Sequence, residues 1–146
     1  MAATPASVTR RVEHPARLEN LGLFLGFIDQ ACAEEHIDAE AAFALRLAVE
    51  EVCMNLIRHG YAGGEPGPIG LDFEVDANLA RLTVSDQAKP FDPSQAPAPN
   101  LHDDAMHRPI GGLGWHLIKQ LMDRVAYRSD AQRGNELILE KKFQRH

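Results

Sequence analysis

LRLAVEEVCMNLIRHGY, residues 45–61, is the stretch of this sequence that decides the fold. Its apolar residues recur at spacings of three and four, which predicts an amphipathic helix with one buried face. The buried stripe comprises Leu45, Val49, Val52 and Leu56. Gly60 stands where helices commonly end. The stretch therefore predicts a long helix packed against the core of a globular domain.

A line of polar side chains runs beside this stripe. Glu51, Asn55 and His59 each follow the previous member by four residues, so they lie on one face of the helix. The helix thus carries a carboxylate, a carboxamide and an imidazole at the edge of a buried surface. Two interpretations follow from the helix alone: a solvated edge, or one wall of a ligand site.

The overall composition limits the classes of function. The chain has 146 residues and a formal net charge of -6, which suggests one domain without a general attraction to nucleic acids. Cys32 and Cys53 fall in predicted helices, so we interpret them as core thiols in a reducing compartment. No apolar run is long enough for a leader or a membrane span. We expect a cytosolic protein without a membrane partner.

The remaining patterns alternate between helices and paired strands. Pro15 opens a predicted first helix that runs to about His36, and Asp38 is the predicted N-cap of the second. Strands are predicted at residues 8–13, 69–75, 79–85, 125–129 and 136–143, and a third helix at 115–123. The predicted fold class is α+β: a two-layer α/β sandwich with a mixed, mostly antiparallel sheet and helices on one face.

The first helix is predicted to bury an apolar stripe of its own. This stripe comprises Leu18, Leu21, Leu25, Ile28 and Cys32. Gly22 and Gly26 lie in the same helix, and we expect them to permit close packing against a neighbour.

Two further features lie at the ends of predicted elements. Asp86 follows a strand, where an aspartate is typical of a turn as well as of a site. Gly111, Gly112 and Gly114 enter the third helix, where free backbone N–H groups and the helix dipole favour an anion. Residues 86–109, between these features, carry five prolines and no periodicity. This pattern indicates a functional lid or a disordered segment.

The conjunction of these motifs resembles the nucleotide site of the GHKL ATPases, which share the Bergerat fold. That family shows E-x-x-x-N on a helix, D-x-G after a strand, a lid, and G-x-G opening a helix. The matching residues here are 51–55, 86–88 and 112–114. The longer motifs EE-x-x-x-N-x-x-x-HGY, PFDP and GGLG are similar to those of stand-alone serine-protein kinases that act as anti-sigma factors. The resemblance implies one domain, residues 1–146, with an ATP lid at about 87–110.

The resemblance also implies roles for individual residues. Glu51 would be the general base, and Asn55 would coordinate Mg²⁺ at the ATP phosphates. Asp86 would accept a hydrogen bond from the adenine amine, while Gly112 and Gly114 would let backbone amides approach the phosphates. The wider nucleotide site comprises His59, Ala88, Phe91, Arg108, Gly111, Leu113, Trp115 and Asn135. The implied cofactors are ATP and Mg²⁺.

One residue departs from the family pattern. The glycine of D-x-G is Ala88 here. Glycine lets the chain come close beneath the adenine and adopt positive φ, whereas alanine adds a methyl group. The substitution predicts either a weaker site or a slightly shifted one that still binds ATP.

A second constellation has the spacing of a metal site. It comprises His102, Asp103, Asp104 and His107. No rigid element is predicted to hold these side chains, which favours a polar lid tip over a metal centre.

The resemblance implies an ATP-dependent serine/threonine-protein kinase and anti-sigma factor. It would phosphorylate a serine on an anti-anti-sigma partner of the STAS type, and it would bind a sigma factor. Family members are often homodimers, although no self-complementary patch is evident in the sequence. The alternative, motivated by Ala88, is a non-catalytic module that sequesters a partner with or without nucleotide. An ATP hydrolase without a protein acceptor is the third hypothesis.

Overall fold

A five-stranded sheet forms one layer of the protein in this computed structural model, which describes residues 8–61, 63–90 and 112–146. The strands are β1 (Val8–Pro15), β2 (Pro68–Asp76), β3 (Leu79–Asp86), β4 (Arg124–Asp130) and β5 (Gly134–Lys142). Their order in the sheet is β1-β2-β3-β5-β4. Every neighbouring pair in the described sheet is antiparallel. The predicted hairpins are confirmed, and β5 joins them by pairing with β3.

Helices form the second layer on one face of the sheet. They are α1 (Leu21–Glu34), α2 (Ala39–Asn55) and α3 (Gly112–Leu121), with a 3-10 turn (Leu18–Asn20) before α1 and a π-helical turn (Leu56–Gly60) after α2. The core lies between the layers, where Leu45 of α2 and Leu71, Phe73 and Leu82 of the sheet are fully buried. The predicted α+β two-layer sandwich is therefore confirmed.

The local sequence explains the position of α2. The carboxylate of Asp38 accepts a hydrogen bond from the Ala41 N–H at 3.2 Å and caps the first turn, as predicted. Leu45, Val49 and Val52 of the predicted stripe are buried, and its fourth member, Leu56, is partly buried. This buried face packs against the sheet. The line of polar side chains, spaced four residues apart, therefore lies at the edge of the packed surface.

The start of the helical layer differs from the prediction. Pro15 belongs to β1 and pairs with Pro68, so it does not open a helix. Leu18 lies in the 3-10 turn with 64% of its surface exposed, and Phe24 is fully buried in its stead. An added Cβ at Gly22 or Gly26 would meet no atom of the described residues within 4 Å, so these glycines mediate no close packing in this part of the protein.

The helices test two further predictions, one on the cysteines and one on a membrane span. Cys32 and Cys53 are buried, and burial raises the pKa of both thiols to about 12, which confirms them as core thiols. None of the three described helices combines the length and the apolar composition that a membrane crossing requires.

Candidate functional site

The line of polar side chains runs along α2 and continues into the π-helical turn that follows it. Glu51 and Asn55 are half-buried, whereas His59, within the π-helical turn, is exposed. Neither the Glu51 nor the Asn55 side chain forms a hydrogen bond with another described residue. Two polar groups at the edge of the core are thus left available to a ligand, and π-helical turns are frequent at such sites.

The environment of Glu51 disfavours its ionised form. Burial raises the pKa of the Glu51 carboxyl, the charge of the neighbouring Glu50 raises it further, and Arg58 opposes both effects. A carboxyl group with a raised pKa is suited to accept a proton near neutral pH.

Asp86 is the last residue of β3, and 9% of its surface is exposed. Its Oδ1 atom accepts two hydrogen bonds, from the Ala88 N–H at 2.9 Å and from Asn135 Nδ2 at 2.8 Å. Its Oδ2 atom has no hydrogen-bond partner among the described residues. One carboxylate oxygen is therefore fixed by the protein, and the other is available as an acceptor.

The side-chain amide of Asn135, on β5, forms hydrogen bonds through both its nitrogen and its oxygen and so stabilises this turn. Besides the bond to Asp86, its Nδ2 donates to the Ala88 C=O at 2.9 Å. Its Oδ1 accepts from Ser129 Oγ at 2.6 Å and from the Tyr127 hydroxyl at 3.2 Å. With 3% of its surface exposed, Asn135 connects β4 and β5 to the chain that leaves β3.

The methyl group of Ala88 packs against the last residue of the π-helical turn that follows α2. A Cβ placed on Gly60 would lie 3.2 Å from the Ala88 Cβ, so the two residues are in direct contact. Among the described residues, only His36 and Ala77 adopt positive φ without being glycine, so Ala88 has an ordinary backbone conformation. The structure thus accommodates alanine at this position through the small residue opposite it.

Tyr61 is a residue of this site that the sequence analysis missed. Its hydroxyl donates to the Pro68 C=O at 2.7 Å and accepts from the Gln87 N–H at 2.8 Å. Gln87 follows Asp86 directly, and its side chain also donates to the Arg133 C=O at 3.2 Å. The HGY motif contains Tyr61, but the partners of its hydroxyl are backbone atoms, which no side-chain pattern reveals.

The glycine turn lies at the start of α3. Gly112, Leu113 and Gly114 form its first turn, one turn earlier than the predicted start at Trp115. Backbone N–H groups of a first turn lack helical partners and bind anions readily. Phe91, Arg108, Gly111 and the cluster from His102 to His107 lie outside the described residues, as do the side chains of Leu113 and Trp115.

Packing fixes the position of α3 relative to α2. Ile118 is fully buried and Met122 nearly so, and α3 contacts α2 directly. At the far end, Lys141 Nζ donates to the Leu121 C=O at 2.7 Å, which places a cation at the negative end of the helix dipole. The C-terminal half of α3 is therefore anchored in the core to which α2 also contributes.

A direct contact links the chain after α2 to the turn that follows Asp86. Gly60, the last residue of the π-helical turn, touches Ala88, and Asn55 at the end of α2 precedes Gly60 by five residues. No group of three or more His, Cys, Asp or Glu side chains within the described ranges is arranged to hold a metal ion. A cation at Asn55 would consequently need further oxygen ligands from phosphate and water, as Mg²⁺ commonly has.

Comparison with known proteins assigns the family. A model described as histidine kinase-like ATPase domain matches residues 14–141, from the end of β1 to β5. The chain belongs to this family. The motif on α2, the Asp86 turn and the first turn of α3 all lie within the matched part of this histidine kinase-like ATPase domain.

Named relatives of this histidine kinase-like ATPase domain are protein kinases. The serine-protein kinase RsbW of Listeria innocua is 31% identical over 76% of this chain and 73% of its own length. RsbW of Halalkalibacterium halodurans is 35% identical over 69% and 62%. The serine/threonine-protein kinase BtrW of Bordetella bronchiseptica is 25% identical over 70% and 72%.

Proposed function

We propose that this protein is an ATP-dependent protein-serine kinase that acts on a protein partner. The observation that carries the proposal is Glu51: a half-buried carboxylate with a raised pKa, no hydrogen-bond partner among the described residues, and Asn55 one turn further along α2. The names of the relatives, all serine or serine/threonine kinases, agree with this chemistry.

ATP with Mg²⁺ would supply the phosphoryl group. The Glu51 carboxylate would accept the proton of the serine hydroxyl, and Asn55 would contribute its amide oxygen to the cation. Asp86 Oδ2 would accept a hydrogen bond from the adenine amine, since Oδ1 is already occupied. The N–H groups at Gly112 to Gly114 would hold phosphate oxygens.

The partners follow from the family resemblance and the charge of the chain. We infer that the acceptor is a small anti-anti-sigma protein of the STAS type, and that the unmodified acceptor competes with a sigma factor for this kinase. A net charge of -6 argues against direct binding to nucleic acid. Assembly as a homodimer belongs to the same proposal.

The test is phosphorylation of a purified STAS-type partner with labelled ATP and Mg²⁺. Glu51→Gln keeps the shape of the side chain but removes the base, so the rate is expected to fall by about 100-fold or more while ATP still binds. Glu50→Gln is the matched control, because Glu50 is the adjacent, exposed carboxylate of the same helix. We expect it to retain most of the activity.

Two outcomes would contradict the proposal. If wild-type protein binds ATP and the partner but transfers no phosphate, the kinase assignment is wrong. If calorimetry detects no ATP binding at high micromolar concentration, the sequestering module without nucleotide is favoured. Ala88 gives that alternative less support than the sequence suggested, because its methyl group packs against Gly60.

A further inference from the structure

The Tyr61 hydroxyl bridges two strands at the point where the chain leaves the sheet. β2 and β3 pair as far as Ile69 and Asp86, so Pro68 and Gln87 would form the next ladder pair. The hydroxyl lies between these two residues, accepting from the Gln87 N–H at 2.8 Å and donating to the Pro68 C=O at 2.7 Å. It therefore satisfies a backbone N–H that has just left the ladder.

The position of this hydroxyl is itself fixed. Its single proton is used by Pro68, so an oxygen lone pair is directed at Gln87. The aromatic ring lies over Gly67, where an added Cβ would be only 2.5 Å from a ring carbon. Burial raises the pKa of Tyr61, the Gln87 N–H opposes this effect, and the charges of Asp86 and Glu13 add to it. The hydroxyl consequently stays protonated, as both hydrogen bonds require.

We propose that Tyr61 is a positioning residue that fixes the orientation of the Asp86 carboxylate through the backbone of Gln87. Gln87 stands between Asp86 and Ala88, and the Ala88 N–H is one of two donors that hold Asp86 Oδ1. A shift of the Gln87 backbone moves this donor and rotates the carboxylate. The direction of Oδ2, the free acceptor, then changes as well.

This inference rests on the proposed function, in which Asp86 Oδ2 reads the nucleotide base. A carboxylate oxygen attracts the exocyclic amine of adenine and repels the carbonyl oxygen that guanine carries at the same place. A rigidly held carboxylate penalises guanine, whereas a mobile one can turn away from it. Tyr61 therefore sets base selectivity without touching the nucleotide.

The first experiment replaces the hydroxyl. Tyr61→Phe keeps the ring over Gly67 and removes both hydrogen bonds. We expect ATP to bind about five-fold more weakly, the magnitude of one lost hydrogen bond, while GTP binding changes little. The ratio of ATP to GTP affinity measured by calorimetry should fall accordingly. In the kinase assay KM for ATP should rise and kcat should stay within about two-fold, because Glu51 and Asn55 are unaltered.

A second readout needs no nucleotide. Protection of the Gln87 amide in hydrogen-exchange NMR should drop in Tyr61→Phe, because water replaces the hydroxyl. Gly67→Ala should reproduce the lost protection and the lost selectivity, since its methyl group displaces the ring. Gly64→Ala is the matched control from the same loop, where an added Cβ meets no atom of the described ranges within 4 Å. It should behave as wild type.

The outcomes separate this inference from the proposed function. Wild-type protein that binds no ATP defeats the proposed function. If the wild type prefers ATP and Tyr61→Phe keeps the same ATP/GTP ratio, the Tyr61 assignment alone is wrong. Equal losses for ATP and GTP, or a Gln87 amide that keeps its protection, would also overturn it and leave Tyr61 as a purely structural residue.

Discussion

Glu51 is held in an environment that opposes its own charge. Its pKa is raised by burial and by Glu50, so the ionised form lowers the free energy of unfolding. This penalty is absent below the ordinary carboxyl pKa, where the residue is protonated whether folded or not. It grows as the pH rises through the raised pKa. We therefore expect Glu51→Gln to melt at a higher temperature than wild type at neutral pH, with no difference in acid.

The pH series has a built-in control. Glu50→Gln removes the exposed neighbour and should give a smaller gain, through weaker repulsion of Glu51 alone. Melting followed by circular dichroism across the acidic-to-neutral range measures both variants. A Glu51→Gln protein no more stable than Glu50→Gln at neutral pH would show that ionised Glu51 is not destabilising. A catalytic carboxylate commonly costs stability in this way.

At the residue scale, the sequence predicted the positions of side chains in the fold better than it predicted their hydrogen-bond partners. The positions of Glu51 and Asn55 on one face of α2, and of Asp86 at the end of β3, were predictable from helical spacing and strand pattern, whereas their roles at the site stay a prediction. Tyr61 was not predictable, because its hydroxyl bonds to the backbone of Pro68 and Gln87. Contacts between side chains and backbone depend on how two strands end in space, which residue types along the chain do not encode.

At the scale of an element, α1 shows why spacing alone can place a helix but not orient it. Leu21 and Leu25 satisfy the helical repeat as well as Phe24 and Ile28 do, and the structure buries the second pair fully. The choice is made by the preceding chain: β1 continues to Pro15 and a 3-10 turn follows. The resulting rotation leaves Leu18 in solvent, which a stripe counted from Leu18 could not anticipate.

The contact between the π-helical turn after α2 and the Asp86 turn can be tested by exchanging its two small residues. A methyl group at Gly60 would lie 3.0 Å from Leu56 Cδ2 and 3.2 Å from the Ala88 Cβ. Gly60→Ala is therefore expected to destabilise the protein by about 1–2 kcal/mol through overpacking. Adding Ala88→Gly removes one of the two close contacts, and Leu56 can rotate away from the other. The double variant should be more stable than the sum of the single effects predicts.

Urea unfolding measures this coupling, and calorimetry with ATP reports whether the turn has moved. Gly26→Ala is the matched control: it adds a methyl group on α1 where none of the described residues has an atom within 4 Å. It should be neutral or slightly stabilising, as alanine favours a helix over glycine. Strict additivity of Gly60→Ala and Ala88→Gly would mean that the two methyl groups do not meet.

At the scale of the whole molecule, the two faces of the sheet differ in kind. The inner face buries Leu71, Phe73 and Leu82 against the helices, and the outer face carries cross-strand ion pairs. The alternation of apolar and polar residues in β2 predicted that this strand has one buried and one polar face. The insertion of β5 between β3 and β4 was not predictable, because hairpins predicted from short turns contain no information on how they join.

Glu140 lies on β5, where the two hairpins join, and the last prediction concerns this residue. It has 7% of its surface exposed and is bonded to Arg81 of β3 at 2.7 Å and to Arg124 of β4 at 3.4 Å. A hydrogen bond from Arg81 holds the pKa of Glu140 below its usual range, an effect that burial opposes and that Arg124 supports. Its stabilisation is complete above the ordinary carboxyl pKa and is lost as the pH falls through the lowered one.

Glu140→Gln should therefore lower the free energy of unfolding at neutral pH by about 1–2 kcal/mol, since it weakens hydrogen bonds to a charged group. The difference from wild type should shrink as the solution is acidified, because the wild-type carboxyl then becomes neutral too. Glu74→Gln, which breaks an exposed pair with the same Arg81 at 3.2 Å, should cost less than half as much. Urea unfolding at several pH values measures the difference in the free energy of unfolding between each variant and wild type. If Glu140→Gln remained less stable than wild type by the same free energy of unfolding in acid, Glu140 would stabilise the join between the hairpins by packing and not by charge.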